Sequence, residues 1–301
     1  GYSTFLQCTA CSEVENCPNC DISLTYHLNT NTLKCHYCGH NEPEKKNCSS
    51  CGLPSLNRRG VGTQLIENEI EKKFPNVTVA RLDYDTTRTK KSFKSIIRGF
   101  EEKEFDILVG TQMVTKGLDF SNVSLVCVIE SDFLLNYPDF RANEKYFQMI
   151  RQVSGRAGRS KERGEVLIQT YSSNSNVINQ IVEGNYEFFY RDQIEDRKKF
   201  NYPPYVKLIK ITIKHKDINR VNNSSNWFYK KILPYFKKNI LGPEFPYISR
   251  IRNKYQKNIL IKIPNEQSLS GVKNILKKSI LSFHSVPDFR SVQVVVDVDP
   301  Y

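Results

Sequence analysis

Four Cys-x-x-Cys pairs near the start of the chain are its strongest chemical signal. They are Cys8 with Cys11, Cys17 with Cys20, Cys35 with Cys38, and Cys48 with Cys51. This spacing lets two thiolates from one tight turn face the same tetrahedral ion, and two such pairs complete an all-thiolate zinc site. Four pairs therefore predict two structural zinc sites with no open coordination position. Spacing alone leaves open which pairs share an ion, because four pairs can be combined in three ways.

A disulfide-rich secreted module is the alternative interpretation, because it has the same even cysteine count. The N-terminus shows no charged region followed by an apolar signal core. The ninth cysteine, Cys127, lies in an apolar run, where we expect a small buried side chain. The sequence therefore predicts reduced, metal-binding thiols in the cytoplasm. His36 and His40 lie among the pairs, and we expect them beside the sites rather than on the ions.

Length and charge indicate several domains and a polyanionic partner. The chain of 301 residues is longer than a typical single domain. Residues 1–57 hold three Lys or Arg against five Asp or Glu, whereas residues 205–301 hold eighteen against six. Such a basic unit favours a polyanion or an acidic peptide as partner. No apolar run reaches the ~20 residues that span a bilayer, so we expect a soluble protein without a membrane role. Because the sequence starts at Gly1 in mid-pattern, we also expect the C-terminal part of a longer polypeptide.

The middle of the chain alternates strand and helix patterns. Short β-branched runs predict buried parallel strands at residues 77–81, 106–109, 124–129 and 165–169. One helix is predicted from about Gln64 to Phe74, and a second carries Phe93, Ile96, Ile97 and Phe100 on one face. We expect Thr86 and Thr87 to cap the start of that second helix. The pattern predicts a doubly wound α/β unit, in which ligands sit at the carboxyl ends of the strands.

Two motifs fall at such ends. The first motif, Gly110-Thr-Gln-Met-Val-Thr-Lys-Gly-Leu-Asp-Phe120, follows a predicted strand. It can contact a DNA phosphate backbone through the hydroxyl of Thr111, the amide of Gln112 and the charge of Lys116. The second motif is Gln152-Val-Ser-Gly-Arg-Ala-Gly-Arg159, near the end of a helix that begins around Arg141. We expect Arg156 and Arg159 to share one helical face and to act as arginine fingers on a nucleotide held by a neighbouring lobe.

These motifs resemble the fifth and sixth motifs of superfamily 2 helicases. The combination of the four cysteine pairs with GVGTQ, RLDYDTT, GTQMVTKG, PDFRANE and QVSGRAGR is similar to the PriA, or primosomal protein N′, family over the whole chain. The resemblance implies an ATP-dependent 3′-to-5′ DNA helicase that recognises stalled or abandoned replication forks and starts primosome assembly. It also implies single-strand-binding protein and other primosome proteins as partners, and branched forks and single strands as the DNA bound.

The resemblance further implies roles for individual residues. Nested pairing puts Cys8, Cys11, Cys48 and Cys51 on an outer zinc, and Cys17, Cys20, Cys35 and Cys38 on an inner zinc. Gln152, Arg156 and Arg159 are the implied catalytic residues. Gly117 and Asp119, together with the two arginines, are the implied nucleotide-binding residues. Leu118-Asp119 departs from the more usual His-containing step of the family.

The sequence contains no G-x-x-x-x-G-K-[ST] loop and no acidic metal-binding box, the parts that hold ATP phosphates and Mg²⁺. We therefore expect ATP and Mg²⁺ to bind mainly to a first lobe absent from this chain, and the chain alone to be inactive. The predicted domains are a two-zinc Cys-rich module at 1–57, a RecA-like helicase lobe with a parallel sheet at 58–204, and a basic α+β domain at 205–301. The competing hypothesis is a non-catalytic zinc-ribbon protein that binds nucleic acid, with the α/β lobe as scaffold.

Overall fold

A computed structural model of the chain describes residues 5–27, 30–60, 62–83, 86–87, 89–115, 120, 123–157 and 164–300. The chain folds as two compact units. One comprises Arg58–Gln193, and the other combines Phe5–Asn57 with the chain from Ile194 onward. The cysteine-rich segment therefore packs with the C-terminal segment, although the whole α/β segment separates them in sequence. Within the described ranges, no helix has both the length and the hydropathy needed to cross a bilayer.

The cysteine-rich segment consists of short strands around a very small core. Its strands are β1 (Phe5–Cys8), β2 (Thr25–His27), β3 (Thr32–Lys34), β4 (Asn41–Pro43) and β5 (Leu56–Arg59). Strands β2, β3 and β4 form an antiparallel sheet, and β1 pairs with β5. Its buried cluster consists of three leucines, one tyrosine and three cysteines, namely Leu6, Leu24, Leu33, Tyr26, Cys17, Cys20 and Cys35. So few aliphatic side chains cannot offset the conformational entropy lost on folding, and a further stabilising element is required.

The α/β unit alternates strands and helices, as predicted. Its elements are α1 (Thr63–Lys73), β6 (Val79–Leu82), α2 (Lys90–Glu101), β7 (Ile107–Gly110), β8 (Leu125–Val128), α3 (Asp132–Leu135), α4 (Ala142–Ser154), β9 (Glu165–Ile168), α5 (Asn176–Val182) and the start of α6 (Tyr186–Lys199). Strands β6 and β7 pair in parallel, with Ala80 opposite Leu108, and β8 and β9 pair in parallel, with Val126 opposite Val166. The predicted α/β class with parallel strands is confirmed.

Helix α2 packs as predicted but is capped by a different residue. Its apolar side chains pack against buried Leu82 and Phe120. The cap is Thr89, whose hydroxyl oxygen accepts the Ser92 N–H at 3.1 Å, and Ser92 completes a capping box. The expected caps, Thr86 and Thr87, are instead bonded to Asp83, since the Thr86 N–H donates to its carboxylate at 3.0 Å and the Thr87 hydroxyl donates to its carbonyl oxygen. The prediction was wrong because the buried Asp83 binds Thr86 through its carboxylate and Thr87 through its backbone carbonyl.

Helix α4 anchors the other half of the unit. Its side chains Tyr146, Phe147 and Ile150 are buried against α5 and Phe189. In β8 the exposed and half-buried residues alternate, and Cys127 is exposed. The expectation that Cys127 is buried was therefore wrong. Successive side chains of a strand point to opposite faces, and in β8 the half-buried face carries Val126 and Val128.

The C-terminal segment is an antiparallel sheet covered by two long helices, the α+β arrangement that we expected. It contains β10 (Val206–His215), α7 (Ile218–Phe236), β11 (Ile240–Glu244), β12 (Arg250–Ile251), β13 (Lys254–Pro264), α8 (Leu269–Ser285) and β14 (Gln293–Val298). The strand order is β11-β13-β10-β14, and β12 also pairs with β13. Isoleucines from β10 and β13 face Phe228 and Ile232 of α7 and Phe283 of α8, and all of these side chains are fully buried. This segment, unlike the cysteine-rich one, has a core of its own.

Gly110, at the end of β7, is the first residue of the predicted DNA-contacting motif, and packing requires a glycine there. A Cβ at this position would lie 2.1 Å from Val114 Cγ2 and 2.7 Å from the Leu82 carbonyl oxygen. We therefore expect Gly110→Ala to lower the free energy of unfolding by about 3 kcal/mol. Urea unfolding measures this. Gly155→Ala is the control, because a Cβ there lies 3.4 Å from its nearest neighbour. Equal stability of the two variants would contradict the prediction.

Candidate metal centres and helicase motifs

The eight N-terminal cysteines form two groups of four. Cys8, Cys11, Cys48 and Cys51 make up one group, and Cys17, Cys20, Cys35 and Cys38 the other. Within each group all sulfur atoms lie within 4.8 Å of one another. These are the two sets that nested pairing requires. The spacing allowed three ways of combining the four Cys-x-x-Cys pairs, and the fold brings together the nested combination.

The sulfur separations fit a tetrahedral metal shell. Cys8 and Cys51 Sγ lie 3.6 Å apart, Cys11 and Cys48 Sγ 3.7 Å, and Cys17 and Cys38 Sγ 3.6 Å. Four sulfurs about 2.3 Å from a central ion lie about 3.8 Å from one another, whereas a disulfide bond is about 2.05 Å long. The distances therefore favour thiolate ligands over disulfides. Each group could hold one zinc ion with all four positions filled by protein.

Backbone amides point at the sulfurs from within the cysteine turns. The N–H groups of Asn19, His40 and Ser50 donate to Cys17, Cys38 and Cys48, each at 3.4 Å. Such hydrogen bonds stabilise the charged thiolate and orient it. His40, expected beside the sites, contributes its amide, and its ring lies 3.3 Å from Glu42.

The thiols of one group cannot all ionise without a cation. In the outer group, the Ser55 hydroxyl lies 3.0 Å from Cys8 Sγ and lowers the pKa of that thiol to about 6. At Cys11 the Glu13 amide acts to lower the pKa, but burial and the neighbouring thiols outweigh it and raise the pKa to about 12. In the inner group, burial raises the pKa of Cys17 to about 12. In the outer group the Cys8 thiolate is thus favoured at the expense of Cys11, and in both groups a divalent cation would stabilise the thiolates.

A buried carboxylate contacts the turn of Cys48, and no sequence pattern pointed to it. Glu15 lies between the first two cysteine pairs and is only 3% exposed. It accepts the Ser49 N–H at 2.8 Å and the Lys45 ammonium at 2.9 Å. Burial opposes ionisation, but the Ser49 and Lys45 contacts outweigh it and lower the pKa of Glu15. Glu15 therefore holds the turn of Cys48 next to the first half of the module as a charged group. A lone Glu in a cysteine-rich stretch usually lies at the surface, which is why this contact escaped prediction.

The first helicase motif lies at the carboxyl end of β7. Thr111 follows the strand directly, and Gln112 opens a 3-10 turn over Gln112–Thr115. Gln112 is exposed, whereas Thr111 is half-buried and its hydroxyl oxygen accepts the Met113 N–H at 3.5 Å. The other predicted residues of this motif, Lys116, Gly117 and Asp119, lie outside the described residues.

The second motif departs from its predicted geometry. Helix α4 ends at Ser154 with Gly155 as its C-cap, so Arg156 lies in the turn that follows. There its N–H donates to the Val153 carbonyl oxygen at 3.0 Å. The prediction that Arg156 and Arg159 share a helical face was therefore wrong for Arg156, because the helix ends before it at Gly155, a residue type that destabilises helices. Arg159 lies outside the described residues. Gln152 is exposed on the last turn of α4.

The fold brings the two motifs next to each other. The Gln112 amide lies 3.8 Å from Met149 Sδ, one turn before Gln152 on α4. A predicted DNA-contacting residue therefore packs on the helix that leads to the arginine pair. A parallel α/β lobe with these adjacent motifs, in the same chain as two groups of four thiols, is typical of the second lobe of a nucleic-acid helicase that carries a zinc-ribbon module.

Comparisons with known proteins identify the family. Residues 17–43 match the PriA DNA helicase Cys-rich region domain, residues 57–161 the helicase conserved C-terminal domain, and residues 198–301 the primosomal protein N C-terminal domain. The replication restart protein PriA of Bacillus subtilis is 40% identical over the full length of this chain and 37% of its own length. Those of Synechocystis and Thermotoga maritima are 38% and 33% identical, again over the whole chain. The chain belongs to the PriA family.

The chain spans little more than a third of the length of these relatives, since it covers 37%, 36% and 39% of the three. It corresponds to their C-terminal part, as the sequence motifs predicted. The resemblance to the PriA family is thereby confirmed over the entire chain.

Proposed function

We propose that this chain is the C-terminal part of an ATP-dependent DNA helicase that moves 3′ to 5′, recognises stalled or abandoned replication forks and starts primosome assembly. The observation that carries the proposal is the joint presence of two Cys₄ groups and a helicase lobe in a chain that PriA proteins match from end to end. We propose three domains, at 1–57, 58–204 and 205–301, and action in the cytoplasm, where reduced thiols persist.

The residues take the following roles in this proposal. The two cysteine groups hold two structural zinc ions, which supply folding free energy and leave no position for a reacting water. Thr111, Gln112 and Lys116 contact the phosphate backbone of one DNA strand. Arg156 and Arg159 reach a nucleotide whose phosphates and Mg²⁺ are held mainly by a first lobe, with Gln152, Gly117 and Asp119 beside it. Because guanidinium groups bind phosphate oxygens through two parallel hydrogen bonds, they suit a terminal phosphate better than lysines do.

The direct test is unwinding by the full-length protein. We expect it to separate a forked duplex with a 3′ single-stranded tail when ATP and Mg²⁺ are present, and not a duplex whose only tail is 5′. The 301-residue chain alone should neither hydrolyse ATP nor unwind either substrate. ATP hydrolysis by the chain alone, or unwinding of the 5′-tailed duplex only, would refute the proposal.

The basic C-terminal segment is proposed to contact the DNA fork, and its partners include single-strand-binding protein and other primosome proteins. Eighteen Lys or Arg against six Asp or Glu lie in residues 205–301. We expect the affinity of the whole chain for forked DNA to fall by roughly 10³-fold between 50 and 200 mM salt, as for proteins with several phosphate contacts. Fluorescence anisotropy measures this affinity. An affinity independent of salt would show that charged contacts to phosphate do not drive binding.

Two matched sets of lysines locate this contact. Lys230, Lys231, Lys237 and Lys238 are exposed on and just after α7, and Lys72, Lys73, Lys90 and Lys91 are exposed on α1 and α2. Changing the first set to Gln should reduce the slope of log affinity against log salt by about two to three, because each lost phosphate contact removes about 0.9. The same change in the second set should leave the slope within error. The reverse result would place the contact on the α/β lobe instead.

A further inference from the structure

The strands β12 and β13 form a hairpin whose tip reaches the inner cysteine group. Ile251 pairs with Lys254, so the turn consists of Arg252 and Asn253 alone. Both have positive φ angles, 51° and 59°, the conformation of the two-residue turn whose twist matches that of paired strands. Within the same compact unit, this tip belongs to the C-terminal sheet and the cysteine group to the N-terminal module.

The tip contacts the Cys17–Cys20 turn through both backbone and side chains. The Arg252 N–H donates to Cys20 Sγ at 3.3 Å, and Arg252 Nε donates to the Tyr37 carbonyl oxygen at 3.1 Å. The Asn253 N–H donates to the Asn19 carbonyl oxygen at 2.8 Å, and its Nδ2 donates to Asn19 Oδ1 at 3.0 Å. The hairpin thus binds the turn of the first inner pair and the turn of the second, which carries Tyr37.

The base of the hairpin adds a charged contact. Arg250 Nε donates to Asp21 Oδ1 at 2.9 Å, and its Nη1 donates to the Pro18 carbonyl oxygen at 3.0 Å. The Ser249 hydroxyl donates to the other oxygen of Asp21. Ile251 packs against the buried cluster of the module. The acidic module and the basic C-terminal segment therefore meet through an oppositely charged pair, next to the ligand Cys20.

Cys20 differs from other ligands in the source of its amide donor. Cys17, Cys38 and Cys48 each accept an N–H from the residue two positions further along their own turn. The donor to Cys20 lies 232 positions away in sequence. The C-terminal segment therefore supplies to the inner group a hydrogen bond that the other turns make for themselves. None of the described contacts of the hairpin reaches the outer group.

We infer that the hairpin of residues 249–253 is a clamp that keeps the inner metal site closed and couples its occupancy to docking of the C-terminal segment. This inference rests on the proposed zinc sites. Groups that orient metal ligands from outside typically change metal affinity by about 10–100-fold when they are removed. Because coupling is reciprocal, loss of the inner ion should loosen the hairpin to the same extent. The outer site should be insensitive to the hairpin.

The test uses Arg250→Ala in the whole chain, with Arg290→Ala as the control. Both changes remove one guanidinium from the C-terminal segment, but Arg290 is exposed at the end of the 3-10 turn Pro287–Phe289, and none of its described contacts reaches the cysteine-rich module. Metal content is measured first. Alkylation by N-ethylmaleimide is then followed in time, peptide by peptide, by mass spectrometry, so that the four inner and four outer cysteines are read separately.

We expect Arg250→Ala to speed alkylation of Cys17, Cys20, Cys35 and Cys38 roughly 10-fold, with the outer cysteines and the Arg290→Ala protein unchanged. Asp21→Ala should give a similar effect. The double variant should be alkylated no faster than either single variant, because both changes remove the same Arg250–Asp21 contact. Equal rates in Arg250→Ala and wild type, or equal acceleration at both groups, would overturn the clamp. Absence of bound metal in the wild-type chain would instead refute the zinc sites themselves, so the two failures are distinguishable.

Discussion

In the full-length protein, Arg159→Ala and Arg156→Ala should each lower DNA-stimulated ATP hydrolysis by about 10³-fold or more. The reason is electrostatic. In the proposed mechanism, a guanidinium from the second lobe stabilises the charge that develops on the transferred phosphoryl group. Arg156 and Arg159 carry the positive charges of the QVSGRAGR motif. Arg156 lies in the turn that directly follows α4.

Steady-state ATPase assays with saturating forked DNA measure this effect, and Arg151→Ala is the matched control. Arg151 is exposed one turn before the end of the same helix, and its loss should change turnover less than about threefold. Thermal unfolding of all three variants should match the wild type, because none of the changes removes a buried apolar side chain. Normal turnover in both motif variants would show that the arginines are not fingers.

Removal of zinc should unfold the cysteine-rich module while the C-terminal sheet persists. Structural zinc contributes about 10–16 kcal/mol per site in small zinc domains, which exceeds the stability of a typical whole domain. The module has few buried aliphatic side chains, whereas the C-terminal segment has a large isoleucine and phenylalanine core. Treatment with a strong chelator should therefore abolish amide protection in residues 5–57 and leave β10 and β13 protected, as measured by hydrogen exchange.

Cysteine variants separate this effect from general damage by the chelator. Cys35→Ser removes a buried inner ligand, and Cys127→Ser changes an exposed thiol on β8 that belongs to neither group. The first should lose protection around the inner group, in residues 17–38, without any chelator. The second should behave as wild type. Retained protection of residues 5–57 after complete metal removal would mean that the module folds through its apolar core.

The parts of the fold set by local rules could be predicted from sequence. Cys-x-x-Cys turns, the strands with β-branched runs and the amphipathic face of α2 depend on residues close in sequence, and all lie where they were expected. The pairing of the cysteine groups needed more. Each turn is locally equivalent to the others, so only the resemblance to a family, and then the fold, could select the nested arrangement.

The wrong or missing predictions share a physical cause. In each case a contact or a residue outside the local sequence pattern decides the structure. Asp83 engages Thr86 and Thr87, so Thr89 caps α2 instead. Gly155 ends α4 one residue before Arg156. The hairpin contact to Cys20 joins residues more than two hundred positions apart, and no spacing rule connects an Arg-Asn turn to a distant thiolate. Docking of the cysteine-rich module on the C-terminal segment escaped prediction for the same reason.

Elemental analysis of the purified, reduced chain tests the two-zinc architecture on which these proposals stand. Inductively coupled plasma mass spectrometry should find two zinc ions per chain, because the fold gathers eight thiols into two groups of four. Cys35→Ser should lower the content to one and Cys127→Ser should leave it at two. One zinc or none in the wild-type chain would contradict the account.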